Sequence, residues 1–247
     1  MREDPATIFL GDIHGDFRWL AKIIELDPNI EHIVQLGDFG YWEHTKVGVD
    51  FLDGVSALCV ENDIRLDFLD GNHENHEMLV TYNDNRSYGV DPVEVRPNLR
   101  WLPRGSELTL SDGRRVFVCG GAPSVDRAYR KLGEDWWPGE VISREDFDFC
   151  MERLNKPYDL FISHDAPADH SLWEILGGRK GFPTTKKMND DCLKHRQMLS
   201  DLWAASGAPI LVHGHYHQQS VRVNGPRKVI GLSQERTNGS FKYSERI

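Results

Sequence analysis

"ATIFLGDIHGD", residues 6–16, carries the decision about the fold. An apolar run stops at Gly11-Asp12, His14 and Asp16 follow, and "FRWLAKIIEL" then sets Phe17, Leu20, Ile23 and Ile24 at helical spacing. The stretch reads as a buried strand that ends in a polar turn and feeds a helix. The pattern recurs. "HIVQLGD" (32–38) is a second strand, "VGVDFLDGVSALCVEN" (47–62) a helix and "IRLDFLDGNH" (64–73) a third strand. Strand–helix–strand order implies right-handed crossovers and a largely parallel sheet.

The second half changes character. "SELTLSDGRRVFVCGGAPS" (106–124) reads as a hairpin with Asp112-Gly113 at its turn. Residues 122–140 form a long loop containing Pro, Gly and Trp. Ser143 with Asp146 three residues on predicts a capping box at a helix start. "DLFISHD" (159–165) and "APILVHGHYH" (208–217) are strands, and residues 169–206 are helical but broken at 177–185. "QSVRVNGPRKVIGLS" (219–233) turns at Asn224-Gly225, and the tail adds further strand. No linker divides the chain, so residues 1–247 are expected to be one α/β domain with a mostly parallel sheet and a second, more antiparallel one.

Composition narrows the function. Net charge is −10, which argues against a protein that grips duplex nucleic acid. The basic stretch from Ser220 onward is scattered and reads as a solvated tail, or else serves an anionic ligand locally. No apolar run is long enough to span a bilayer, and residues 1–12 lack the sections of a signal peptide. Cys59, Cys119, Cys150 and Cys192 form no C-x-x-C pair. Cys59 and Cys119 are expected to be buried free thiols, which fits a cytoplasmic protein.

Five strand ends finish in polar clusters: 10–16, 36–40, 70–75, 163–167 and 213–217. Ligands of α/β sheets bind beyond the carboxyl ends of the strands, so these clusters should meet. Asp12, His14, Asp38, Asn72, His164, His215 and His217 supply oxygen and imidazole nitrogen donors suited to Mn, Fe, Zn or Ni. Seven donors exceed one tetrahedral zinc but suffice for two metals that share a carboxylate. Two cations roughly 3.5–4 Å apart are the clamp used for in-line displacement at phosphorus.

GDIHG (11–15), GD (37–38), GNHE (71–74), SHD (163–165) and GHYH (214–217) together resemble the ordered motifs of calcineurin-like metallophosphoesterases. The resemblance implies a four-layer α-β-β-α sandwich, with two mixed central sheets flanked by helices and a dinuclear site at the C-terminal edge of the strands. It implies Asp12, His14, Asp38 and His217 on one metal, and Asp38, Asn72, His164 and His215 on the other. His73 would not ligate; it would face the substrate and stabilise the transition state or protonate the leaving oxygen. One departure matters. The Ser/Thr protein phosphatase branch continues its second motif as GDxxDRG, whereas this chain has "GDFGYWE" (37–43), with Tyr41 and Trp42 at the Asp and Arg positions. The Asp that would orient the histidine and the Arg that would hold phosphate are missing. The chain looks closer to the small bacterial and phage-type phosphodiesterases that end in GHxH.

The expected cofactor is therefore a pair of transition-metal ions, manganese first. They would lower the pKa of a bridging water so that hydroxide attacks phosphorus. The expected substrate is a small phosphoester, a nucleotide and possibly a cyclic one. The rivals are a phosphomonoesterase, a dinucleoside polyphosphate hydrolase, a nuclease for single-stranded ends, and a non-catalytic scaffold. Around the site, Asp16 is expected to cap the helix at Phe17, and Asp165 to orient a ligand imidazole or cap a helix. Tyr41, Trp42, Trp136 and Trp137 could wall a pocket, though packing is the simpler role for each. Arg127 and Arg130 could meet a phosphate. His213 is expected to pack rather than ligate. His76 is placed at an exposed helix start with no role, and His32, His44, His170 and His195 are expected on the surface.

Overall fold

The computed structural model describes residues 6–81, 91–178, 181 and 184–234. The predicted tail strand and part of the 177–185 break lie outside the described residues. β1 (Ala6–Leu10) leads through Asp16 into α1 (Phe17–Leu26), with the Asp16 carboxylate accepting from the Trp19 N–H at 3.1 Å. β2 (Ile30–Gln35), α2 (Lys46–Glu61), β3 (Arg65–Leu69) and α3 (His76–Thr81) complete the alternating part. β4 (Val93–Arg96) and β5 (Leu99–Leu102) follow, then the hairpin of β6 (Glu107–Thr109) and β7 (Arg115–Cys119). α4 (Arg144–Arg153) opens with the expected capping box, in which Ser143 and Asp146 satisfy each other's backbone N–H. β8 (Leu160–Ser163), α5 (Leu172–Ile175), α6 (Lys186–Ser206), β9 (Ile210–His213), β10 (Ser220–Asn224) and β11 (Arg227–Gly231) close the described chain.

The first sheet has the order β1-β2-β3-β5-β4 and is parallel except for β4. The second has the order β10-β11-β9-β8-β7-β6, with β11, β9, β8 and β7 parallel and only the edge strands β10 and β6 reversed. The second sheet is thus more parallel than its hairpin signals suggest, because those signals sit at its two edges. Strand side chains alternate between two buried faces. Ile8 and Leu10 pack under α1 and α2, while Phe9 packs between the sheets with Val118, Ile162 and Val212. Phe117, Phe161 and Leu211 turn the other way, onto Leu199, Leu202 and Trp203 of α6. Three apolar layers between four tiers make an α-β-β-α sandwich.

Cys59 and Cys119 are buried and unpaired, as expected. Among the described residues no helix is long and apolar enough to cross a membrane. Several histidines depart from expectation. His44 is exposed, but His32, His76, His170 and His195 are buried. His32 has Asp67 Oδ2 at 2.8 Å, and His195 has Asp165 Oδ2 at 3.0 Å. Buried imidazoles need such partners, and sequence spacing does not reveal pairs 30 or more residues apart.

Candidate metal centre

The carboxyl ends of β1, β2, β3, β8 and β9 converge, and all seven predicted ligands converge with them. Asp12, His14 and His217 place ligand atoms within 4.8 Å of one another, as do Asp38, His164 and His215. Asp38 joins the two groups: its Oδ2 lies 3.8 Å from His14 Nε2 and 3.4 Å from His164 Nε2. Asn72 Oδ1 is 3.3 Å from His164 Nε2. His73 Nε2 stands 3.8 Å from Asp38 Oδ2 and forms a third close group with His14 and Asp38.

Backbone bonds between neighbouring turns fix this arrangement. The Asp38 carbonyl accepts from the N–H groups of Ile13 (3.1 Å) and His14 (2.7 Å). The His215 N–H donates to Asp12 Oδ1 at 2.8 Å, and the His73 N–H to Asp38 Oδ1 at 2.8 Å. His14, Asp38, His215 and His217 all adopt left-handed backbone, with φ of 48°, 53°, 69° and 51°. For histidine that conformation is uncommon and strained. Strain concentrated on four converging donors marks a functional site. Gly214 has no room for a side chain, since a Cβ there would lie 2.5 Å from Asp12 Oδ1.

The electrostatics call for a cation. Burial opposes ionisation of Asp12, yet the hydrogen bond from His217 and the charge of His164 hold its carboxyl below the ordinary range. Burial is likewise outweighed at Asp38, mainly by His164 and His73, and its carboxyl falls well below the ordinary value. Burial alone would neutralise His164, but Asp38 and Asp12 push the ring up to about 10. A metal ion would answer the same demand for positive charge. The ring orientation suits ligation: His164 Nδ1 donates to the Leu36 carbonyl at 2.6 Å, which leaves Nε2 as the atom facing Asp38 and Asn72. His14 Nε2 and His217 Nε2 approach to 3.1 Å. Two imidazole nitrogens aimed at one point fit a shared metal, and oxygen with nitrogen donors fits a transition metal.

Sequence reasoning missed the supports. Glu74, fully buried, accepts from the N–H groups of Asp38 (3.1 Å), Gly40 (3.2 Å) and Gly71 (2.5 Å) and so ties the second turn to the third. Its burial and the nearby Asp38 push its carboxyl up to about 8. Its place in GNHE was a legible signal. Asn72 Nδ2 donates to Ser124 Oγ at 3.1 Å, and Ser124 Oγ donates to Glu140 at 2.6 Å. That chain turns the amide oxygen of Asn72 toward His164. Arg104 binds Asp70 (2.7 Å), Asp146 (2.9 Å) and the Gly139 carbonyl (2.7 Å), which pins the 122–140 loop beside β3. Nothing in the sequence around Arg104 or Glu140 announced these roles.

Other expectations divide. Asp165 neither orients a ligand imidazole nor caps a helix: it accepts from Tyr216 Oη at 2.6 Å and pairs with His195. Despite its burial, the hydrogen bond with His195 and the nearby His215 and Arg196 hold it well below the ordinary range. Tyr41 is buried in the core and Trp137 is nearly so, so neither walls a pocket. Trp42 lies against Gly15, and its indole N–H donates to the His73 carbonyl at 2.7 Å. Arg127 turns away toward Asp191, whereas Arg130 reaches His73. His213 is fully buried, and burial lowers its ring pKa to about 3.

Comparison with known proteins agrees with this geometry. The profile of calcineurin-like phosphoesterases matches residues 6–219. The chain belongs to the calcineurin-like phosphoesterase family. Its reaction class is therefore metal-dependent phosphoester hydrolysis, and its Asp and His clusters are groups that could hold a metal ion. A solved crystal structure superposes with a TM-score of 0.55 at 13% identity, over 92% of this chain and 90% of the other. At that identity the likeness speaks for the fold alone. Another match, described as GAP50, the anchor in the inner membrane complex of Plasmodium, has a TM-score of 0.45 at 12% identity and covers 97% of this chain and 75% of that one. No curated protein matches the sequence.

Proposed function

We propose that this phosphoesterase is a dinuclear phosphodiesterase acting on a small nucleotide ester. The observation that carries the reading is the pair of donor groups joined by Asp38. Asp12, His14, Asp38 and His217 would hold one ion; Asp38, Asn72, His164 and His215 would hold the other. Manganese is the first choice, with Fe, Zn or Ni as alternatives. Such ions supply activated water at neutral pH and neutralise charge developing at phosphorus. His73 is close to the donors and is bonded through its backbone N–H to Asp38, while its ring stands between Asp38 and Arg130 at the edge of the donor cluster. It stabilises the leaving oxygen or gives it a proton. The acidic chain disfavours long polyanions and favours a small substrate. The GHYH ending, and "GDFGYWE" in place of GDxxDRG, support the small bacterial and phage-type branch. We also read the chain as one cytoplasmic domain.

The test is a substrate panel run with Mn²⁺, Ni²⁺, Zn²⁺ and Mg²⁺, comparing bis-p-nitrophenyl phosphate with p-nitrophenyl phosphate and then nucleotide diesters with monoesters. Diester preference is expected. Monoester preference at saturating metal would overturn the diesterase assignment. Less than one metal per chain after reconstitution, with no turnover, would instead establish a non-catalytic scaffold. His73→Ala should keep the metals and slow poor leaving groups more than good ones; equal slowing would remove the acid role.

A further inference from the structure

We propose that Arg130 grips the phosphoryl group of the substrate, and that Asp126 positions it. This rests on the phosphoesterase reading above and adds a residue to it. Arg130 lies in the 122–140 loop, whose long excursion the metal ligands do not explain. Its side chain is only 13% exposed. Nη1 is 2.8 Å from His73 Nδ1, and Nη2 is 3.0 Å from His73 Nε2. Both arms of the guanidinium fork therefore face one imidazole. A neutral imidazole accepts at one nitrogen only, and a protonated one at neither. At least one of these two N–H groups has no acceptor on His73.

The remaining donors are already committed. Nε donates to Asp126 Oδ1 at 2.7 Å, Nη2 to Asp126 Oδ2 at 2.8 Å, and Nη1 to the Asp135 carbonyl at 3.2 Å. Asp126 thus clamps the back of the fork and aims its front. Burial disfavours ionised Asp126, but Arg130 holds the carboxyl below the ordinary range. The aimed side borders the donor cluster: the His73 ring centroid is 5.1 Å from that of His14. The missing acceptor there is an anionic oxygen, and a phosphoryl group presents two at the spacing of a guanidinium fork. Arg127 provides no alternative, since its guanidinium pairs with Asp191. An arginine from the 122–140 loop would thereby replace the Arg absent from "GDFGYWE".

Titration calorimetry of inorganic phosphate into the manganese-loaded protein tests this directly. Arg130→Met should weaken phosphate binding by about 10- to 100-fold, the value of a charge-assisted bidentate contact. It should also raise KM for bis-p-nitrophenyl phosphate while metal content is unchanged. Arg130→Lys should recover part of the affinity, and Asp126→Asn should raise KM more than it lowers kcat. Phosphate binding at wild-type strength in Arg130→Met would overturn the proposal and leave the phosphoesterase reading intact. If Arg130→Met fails to fold, wild-type affinity in Arg130→Lys overturns the fork argument. If the wild-type protein takes up no metal and binds no phosphate, both readings fall.

Discussion

Gly214→Ala tests whether the seven donors are held at one geometry. The added methyl would meet Asp12 Oδ1 at 2.5 Å, the Leu36 carbonyl at 3.1 Å and His164 Nδ1 at 3.5 Å. Asp12 cannot swing aside freely, because Oδ1 accepts the His215 N–H and Oδ2 pairs with His217 at 2.9 Å. To reach ordinary contact the carboxylate must give by nearly an ångström. Overpacking of this kind costs about 1–3 kcal/mol of stability, which in a chain of this size lowers the unfolding temperature by a few degrees. Displacing a site group by about 1 Å costs on the order of 100-fold in rate. The variant should therefore be folded, metal-poor and nearly inactive. Gly113→Ala is the control. Its Cβ would meet nothing within 4 Å, but φ is +86°, so it should lose stability and keep activity. The assays are metal content by mass spectrometry, thermal unfolding, and hydrolysis of bis-p-nitrophenyl phosphate. Wild-type metal content and turnover in Gly214→Ala would refute the reasoning.

Three further outcomes are expected. Asp38→Ala should abolish hydrolysis and loosen both metal sites together; loss of one metal alone, or retained turnover, would remove its bridging role. His215→Ala and His217→Ala should each lose metal, while His213→Ala should retain it, since the His213 side chain packs inside and Nδ1 meets only the Gly214 carbonyl at 3.0 Å. Stability should fall with acid through His76. Burial holds its ring down to about 4, below the ordinary value, so the unfolded chain takes up this proton first as pH drops. The loss should begin near pH 6.5, continue to about pH 4 and reach about 3 kcal/mol. Denaturant melts of His76→Gln should show a flatter acid limb, and an unchanged limb would exclude His76 as its source.

The alternating strands and helices of the first seventy residues were legible because each strand is an unbroken apolar run and each helix has its own periodicity. The capping box at Ser143 and the hairpin turn at Gly113 were legible for the same reason, since local geometry dictates those residues. β4 and β5 were not foreseen, because "VEVRPNLRWL" (93–102) is short, charged and interrupted by Pro97. The seven candidate ligands could be read because polar clusters recur at the carboxyl ends of strands, where α/β sheets bind their ligands. The sequence could not show that His14, Asp38, His215 and His217 would take left-handed backbone, or that Glu74 would tie two turns together through three backbone N–H groups. Nor could it show that His32 and His195 would be buried against carboxylates, or that Arg130 would lie on His73. Those relations join residues from different turns, and only packing two sheets together brings them within bonding distance. The donors were thus written in the chain, while their aim was set by tertiary contacts that hold strained backbone in place.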